Sequence, residues 1–382
     1  MKVALVHDYL KEYGGAERVL EELHRIFPDA PIYTSIYAPE YLGPHHGDFE
    51  SMHIRTSFLQ WIPYREKLIS IFRLISPLAF LSFDLSKFDI IIVSQTGAYF
   101  PNLVRKGKSA KIFCYTHTPP RYLYGYMTAR EWQKDKLMKF FGSIANHFLR
   151  MIDFKASENV DYFIANSEEI RSRIQKFYRR DAVVINPPAT LARALRAGPP
   201  VDSSIKYKKN YYLAGGRLAR AKGIDIIVRA FNENGKKLKI FGKGFAGFDV
   251  ELKSLAGKNI EFLHEVSDAA RQELMAGARA YIFASFDEDF GITPVEAMAV
   301  GTPVIAYRSG GVRETVIDPS TGSGQVATGM FFDENTPEAI NSAIERFEKT
   351  KISSGDCRRQ AQKFSTKVFD RKIKSFIESK MK

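Results

Sequence analysis

Two glutamates separated by seven residues, Glu288 and Glu296, stand in the stretch FDEDFGITPVEAMAVGTPVIAYRSGG over 286–311. Residues 281–285 are a short apolar run that reads as a buried strand, and 287–292 is a polar, glycine-containing loop. Thr293, Pro294 and Glu296 suit the N-cap, first and third positions of a short helix, a capping box. Gly301 suits its left-handed C-terminal cap, and residues 302–307 form the next strand. A helix starting just past a strand directs free N–H groups and its positive dipole end into the crevice, an anion site suited to phosphate. A second chemical group is Arg217 and Lys222, two cations in a loop that runs from Gly215-Gly216 to Lys222-Gly223. Cations held near backbone amides can neutralise a diphosphate leaving group. A third is His117, at the end of an apolar run over 112–117 in YTHTPPR, where a parallel strand's C-terminal end opens on the cleft. A fourth is Gly14-Gly15, between a strand over 3–7 and an amphipathic helix over 16–27, again a phosphate-approach geometry.

Each has a bland reading. Glu296 alone is a capping residue, Glu288 a solvated loop acid, Arg217 and Lys222 a pair of surface cations, and His117 a structural histidine. Asp287-Glu288-Asp289 also spells an Asp-x-Asp metal motif.

The elements that position these residues alternate. Strands are expected over 88–94, 161–166 and 183–186 in the first half and over 211–214, 238–241 and 260–263 in the second, with helices between them. A composition shift over 191–204, with Gly198-Pro199-Pro200, reads as a linker. The domains are therefore expected over 1–190 and 207–368, joined by 191–206. Residues 52–83 interleave Arg55, Arg65, Lys67 and Arg73 with Phe58, Trp61, Ile62, Ile69, Phe72 and Leu74. Such a basic, aromatic-rich stretch suits a bilayer interface or an ordinary helix over the sheet. Tyr122, Tyr124, Tyr126 and Trp132 form an aromatic group able to stack on sugar faces or to pack.

A chain of 382 residues has room for two or three domains. Its net charge of +13 calls for an anionic partner. Two distant cysteines, Cys114 and Cys357, make neither a disulfide framework nor a metal cluster and favour a reducing compartment. The N-terminus reads as a strand rather than a signal peptide, and no apolar run approaches the ~20 residues of a spanning helix. Nucleic-acid binding is disfavoured, because the cations sit in nucleotide-type loops rather than on a basic face with stacking aromatics.

Glu288 and Glu296, followed by Ala-Met-Ala-Val-Gly-Thr-Pro-Val-Ile-Ala, resemble the signature of glycosyltransferase family 4, whose members have the GT-B fold and retain anomeric configuration. The likeness runs over nearly the full chain and is strongest over 211–311. It implies an α/β architecture of two Rossmann-like, doubly wound parallel-sheet domains facing across a cleft, with the tail over 369–382 packing back on the first. It implies Glu288 beside the transferred sugar and His117 near its reacting carbon. It implies Glu296 on the ribose, Arg217 and Lys222 on the diphosphate, and Gly14 and Gly15 at the distal phosphate and acceptor. The donor-binding set also takes in Lys243, where the chain approaches ligand closely, and Val266, in a segment that brackets the nucleobase. It is completed by Phe290, Gly291, Ile292 and Thr293, while Arg121 and Tyr122 are acceptor contacts. No metal is implied, because in this family the loop bearing Glu288 works without one.

Within the family, His-Asp-Tyr-Leu, Gly-Gly-Ala-Glu-Arg-Val-Leu and Tyr-Thr-His-Thr-Pro-Pro-Arg look most like bacterial O-antigen and lipopolysaccharide mannosyltransferases. That likeness implies a GDP-mannose donor, a polyprenyl-diphosphate-linked glycan acceptor and a cytoplasmic enzyme peripheral at an anionic membrane, the inner face of the plasma membrane. The alternatives are a UDP- or ADP-hexose-dependent transferase of the same fold, a GT-B epimerase, or a non-catalytic polyanion-binding protein.

Overall fold

The computed structural model describes residues 1–127, 136–189, 209–245, 247–321 and 326–381. The linker expected over 191–206 and Trp132 lie outside them. Two compact units appear. The first comprises Met1–Tyr126, Glu131–Pro187 and Asp370–Lys382, and the second Met127–Arg130 and Pro188–Phe369.

The strands, in chain order, are β1 (Val3–His7), β2 (Ile32–Thr34), β3 (Ile54–Thr56), β4 (Asp84–Leu85), β5 (Ile90–Gln95), β6 (Arg105–Lys106), β7 (Lys111–Thr116), β8 (Tyr162–Ala165) and β9 (Ala182–Val184) in the first unit. Those of the second are β10 (Tyr212–Gly215), β11 (Leu238–Phe241), β12 (Ile260–Phe262), β13 (Tyr281–Phe283), β14 (Val304–Tyr307) and β15 (Gly329–Phe332). The first unit's main sheet runs β3-β2-β1-β5-β7-β8-β9, and the second unit's runs β12-β11-β10-β13-β14-β15. Every pairing in both is parallel.

The sequence dictates this locally. The central strand β5 reads IIIVSQ and is buried throughout, as a sheet covered on both faces requires. Each fully buried branched side chain contributes roughly 1.5–3 kcal/mol, so short apolar strands hold the sheet centre. Val6, Ile91, Val93, Cys114 and Phe163 share the first unit's core, and Ala214, Ile240, Ile282 and Ile305 the second's. Both cysteines are free and buried.

In each sheet the order reverses beside the unit's first strand, at β1/β5 and at β10/β13. Loops leaving the C-terminal ends of such strands diverge there, which is where open α/β sheets bind ligands. Helix Thr366–Met381 ends the chain, and from Asp370 it belongs with the first unit. Its Phe376 ring stands edge-on to Phe113 at 6.0 Å and to Tyr162 at 6.1 Å, and Arg25 pairs with Asp370.

One expected local structure is overturned. The helix after Glu288 is Ile292–Ala299, capped by Gly291 in the left-handed region with no side-chain cap. Thr293 and Pro294 thus lie inside the first turn, and Glu296 is not the far half of a capping box. Glycine at 291 takes over because the chain turns there with φ 90°, a conformation other residues resist. The far end follows expectation. Gly301 is left-handed with φ 88°, Gly301 N–H donates to Met298 O and Thr302 N–H to Ala297 O, each at 2.9 Å, a Schellman closure.

Candidate active site

In the second unit the exits of β10, β13 and β14 are laced together by backbone. Gly223 ends the turn Arg220–Lys222 with φ 62°, and a Cβ there would lie 2.4 Å from Ala284 O. Gly310, with φ 64°, passes so close that a Cβ would lie 2.0 Å from Glu288 O. Gly311 N–H donates to that same carbonyl at 2.8 Å. These approaches fix Lys222 against Glu288. The Lys222 Nζ donates to Glu288 Oε2 at 2.7 Å, and Ser285 Oγ donates to the same oxygen at 2.5 Å. A lysine and a carboxylate 66 residues apart are thus one polar unit at the C-terminal edge of the sheet. Lys222 keeps 35% of its side chain exposed and Glu288 15%, so the pair is reachable from solvent.

Glu296 is buried, and its Oε1 lies 3.3 Å from Arg271 Nη2, which also pairs with Asp268 at 2.9 Å. A buried carboxylate needs such a partner. Arg271 is a neighbour that the sequence alone does not reveal, because it lies on a different helix, Asp268–Gly277. Arg217 is exposed at the mouth of the same loop, its guanidinium 5.9 Å from the Phe245 ring, whereas Arg220 pairs with Glu251. Lys243 lines a cavity of about 210 Å³ with Leu218, Gly242, Asp249, His264 and Glu265. Phe290 is buried against the Phe364 ring at 5.4 Å, Val266 and Ile292 pack part-buried beside its cluster, and Thr293 is half-buried in the first helical turn. Among the described residues no group of three or more His, Cys, Asp and Glu side chains could hold a metal ion.

In the first unit His117 follows β7 directly, and its N–H donates to Gln95 O at 2.9 Å. Asn166 Nδ2 donates to the His117 carbonyl at 2.9 Å, while Ser167 caps helix Glu168–Tyr178 through Ile170 N–H. The ring's Nε2 is 3.0 Å from Ser94 Oγ, which is 3.1 Å from His7 Nδ1. Burial, with the neighbouring His7 acting in the same direction, pushes the His117 imidazole down to about 3, so the ring is neutral at physiological pH. Gly14 precedes helix Gly15–Ile26, and its N–H donates to Glu17 Oε2 at 2.8 Å.

Asp8, fully buried, is a further residue that sequence alone does not single out. Its Oδ2 accepts from Thr96 N–H at 3.2 Å, Ala98 N–H at 2.9 Å and Tyr99 N–H at 3.3 Å, and from the Thr96 hydroxyl. It therefore shapes the loop leaving β5. Burial raises its carboxyl above the ordinary value, against the opposing effect of His7 and these hydrogen bonds.

Arg121 is half-exposed, but Tyr122 is not placed as an acceptor contact would be. Its ring packs with Phe100, Leu123 and Leu149, and the Arg73 guanidinium lies 4.3 Å from the ring centroid. Of the expected sugar-stacking aromatics, Tyr124 stacks on Phe177 at 4.0 Å and Tyr126 lies under Arg173 at 4.1 Å. Both are packing residues.

The chain matches two family descriptions, Glycosyltransferase Family 4 over residues 13–193 and Glycosyl transferases group 1 over residues 200–364. It is 24% identical to alpha-1,3/1,6-mannosyltransferase ALG2 of Dictyostelium discoideum, over 99% of this chain and 98% of that protein. It is 24% identical to the ALG2 mannosyltransferase of Kluyveromyces lactis, over 91% of this chain and 78% of that one. Among solved structures, sucrose-phosphate synthase from Thermosynechococcus elongatus superposes with a TM-score of 0.71 at 16% identity, covering 99% of each chain. The fold is that of the GT-B glycosyltransferases, two Rossmann-like parallel sheets.

Proposed function

We propose that this glycosyltransferase, built from a family 4 domain and a group 1 domain, transfers mannose from GDP-mannose with retention to a polyprenyl-diphosphate-linked glycan. The observation that carries the mannosyl assignment is the similarity to ALG2 mannosyltransferases along 99% of the chain. The bacterial O-antigen setting rests on the first-half motifs alone.

In this reading Arg217 and Lys222 neutralise the departing diphosphate, which favours a transition state with oxocarbenium character. Lys222 is already held over a carboxylate, so binding the diphosphate exchanges one anionic partner for another. Glu288, relieved of that lysine, orients the sugar hydroxyls. Glu296 holds the ribose, with Arg271 pairing with its carboxylate and aiming it. His117 contacts the sugar, and Gly14 and Gly15 meet the distal phosphate. The acceptor hydroxyl attacks from the face the diphosphate leaves, and its proton passes to a leaving phosphate oxygen. The new glycosidic C–O bond forms as the old one breaks, and the configuration is kept.

The acceptor reading is supported by an exposed apolar face around helix Ile69–Leu81, where Trp61 is 86% exposed and Tyr64, Ile71, Leu74 and Leu78 are exposed beside it. Ile144, Phe148 and Met151 form a second exposed apolar row on helix Lys136–Glu158. With a net charge of +13, such faces suit an anionic membrane surface where a lipid-linked glycan resides. Among the described residues no helix is long and apolar enough to cross a membrane.

Thermal shift of the full chain against GDP-mannose, UDP-glucose, UDP-GlcNAc and ADP-glucose tests the donor. A ligand at 100 times its Kd adds about 2.7 kcal/mol to stability. GDP-mannose is expected to raise the midpoint most. A larger shift from a UDP- or ADP-hexose moves the assignment to the alternative transferase, and none from any donor removes it.

A further inference from the structure

The first unit contains a buried polar chain that runs from a helix terminus to the ring of His117. Its links are Gly14 N–H to Glu17 Oε2 at 2.8 Å, Glu17 Oε1 to His7 Nε2 at 3.5 Å, His7 Nδ1 to Ser94 Oγ at 3.1 Å, and Ser94 Oγ to His117 Nε2 at 3.0 Å. His7 and Ser94 are fully buried and Glu17 nearly so. The two strands hold it in register, since His7 on β1 is the direct partner of Ser94 on β5. His7 Nε2 makes no hydrogen bond among the described residues, and the Glu17 carboxylate 3.5 Å away is the charge it faces.

A chain of this kind has a direction. A carboxylate only accepts, a neutral imidazole donates from one nitrogen and accepts at the other, and a hydroxyl donates once. With the His7 ring neutral, the Glu17 carboxylate 3.5 Å away favours the proton on the nitrogen that faces it, Nε2. His7 Nδ1 is then an acceptor, and the Ser94 hydroxyl must donate to it. The Ser94 oxygen in turn accepts from His117, which places the His117 proton on Nε2. Among the described residues no hydrogen bond to His117 Nδ1 is seen, so in this tautomer its lone pair is left to accept one.

We infer that Glu17, acting through His7 and Ser94, is a positioning residue that fixes His117 as the tautomer protonated on Nε2, so that its Nδ1 accepts a hydrogen bond from a hydroxyl of the bound sugar. The reading of His117 as a sugar contact gives this its consequence, but the tautomer is set by the chain alone. Burial works to raise the Glu17 carboxyl, yet the His7 ring and the amides of Glu17 and Gly14 carry it below its ordinary value, so the chain keeps its anionic end. Glu17→Gln makes the device testable. With its carbonyl kept on Gly14 N–H, the amide NH₂ donates to His7 Nε2, and every proton downstream reverses. His7 then carries its proton on Nδ1, Ser94 donates to His117 Nε2, and the His117 proton moves to Nδ1.

The experiment is long-range ¹H–¹⁵N correlation of the imidazole rings in the full chain at pH 8, well above the ordinary imidazole value of about 6.5. Wild type is expected to show His117 with a protonated Nε2 and the far-downfield shift of a bare Nδ1. Glu17→Gln is expected to exchange the two, with turnover down about tenfold or more and GDP affinity unchanged. Wild-type His117 protonated on Nδ1 overturns the inference, and that needs no variant to fold. So does a Glu17→Gln protein of native circular dichroism whose His117 pattern stays as in wild type. A reversed tautomer with unchanged turnover upholds the chain and instead removes His117 from the sugar site.

Discussion

Lys222 and Glu288 meet because three strand exits converge, and the chemistry assigned to them is tested separately from the fold. Both side chains keep some exposure, and a part-exposed ion pair adds little to stability. Lys222→Ala and Glu288→Ala are therefore expected to leave the melting temperature within a few degrees of wild type. Each is expected to lower turnover by about 100-fold or more, the usual scale for losing one electrostatic contact to a leaving group or reacting sugar. Near-wild-type transfer by either variant removes that residue from the mechanism. Asp153 gives a different residue-scale test. Burial lifts its carboxyl from 3.8 to about 7, opposed by hydrogen bonds from Tyr124 and Tyr178 and assisted by the Asp8 charge. A carboxyl raised on folding makes the native state hold more protons than the unfolded one between those values. Stability therefore falls as pH rises from about 4 to 7, by at most about 1.4 kcal/mol per unit, and is flat above. Asp153→Asn should flatten that slope in urea titrations and be more stable than wild type at pH 8. An unchanged slope would assign it elsewhere. At this scale Glu288, Lys222 and His117 stand out in sequence as candidates because each sits in a glycine- or proline-marked strand exit. Arg271, Ser94 and His7 do not, since only strand register and helix packing bring them to their partners.

The elements repeat one device, a buried strand whose exit carries a polar group. Boundaries followed from apolar runs where strands are central, as in β1 and β11, which sit where the sequence places them. The strands β2 (IYT), β3 (IRT) and β15 (GMFF) were not read from sequence, since none carries the continuous branched apolar run that marks β5. The helix start at Gly291 was misread for a related reason. A Thr-Pro-x-Glu pattern satisfies the capping rule, but the left-handed glycine ahead of it starts the helix earlier. The stretch 52–83 divides between both of its readings. Phe72 is only 2% exposed and belongs to the core, whereas Trp61, Leu74 and Leu78 face outward. Phe72 is thus no part of a docking face. Replacing Trp61, Leu74 and Leu78 together by serine should abolish flotation with anionic vesicles while leaving GDP binding intact, and retained flotation would refute membrane docking by this face.

For the molecule as a whole, alternating strands and helices in two halves announced two doubly wound sheets, and both are present with every main-sheet pairing parallel. The resemblance of the central motif to family 4 was equally legible, and the two family matches together span most of the chain. Composition says only that an anion is wanted. It does not name the base or the sugar. The net charge of +13 further predicts that membrane association weakens with added salt, as screening shortens its reach to about 8 Å at physiological ionic strength. The central claim is retaining mannosyl transfer from GDP-mannose. The most direct measurement is proton NMR of the full chain with GDP-mannose and a polyprenyl-diphosphate-linked glycan, following the anomeric signal of the first product formed. The account predicts GDP release matched by a new α-mannosyl signal, and a β-mannosyl product, or GDP-mannose left intact, would contradict it.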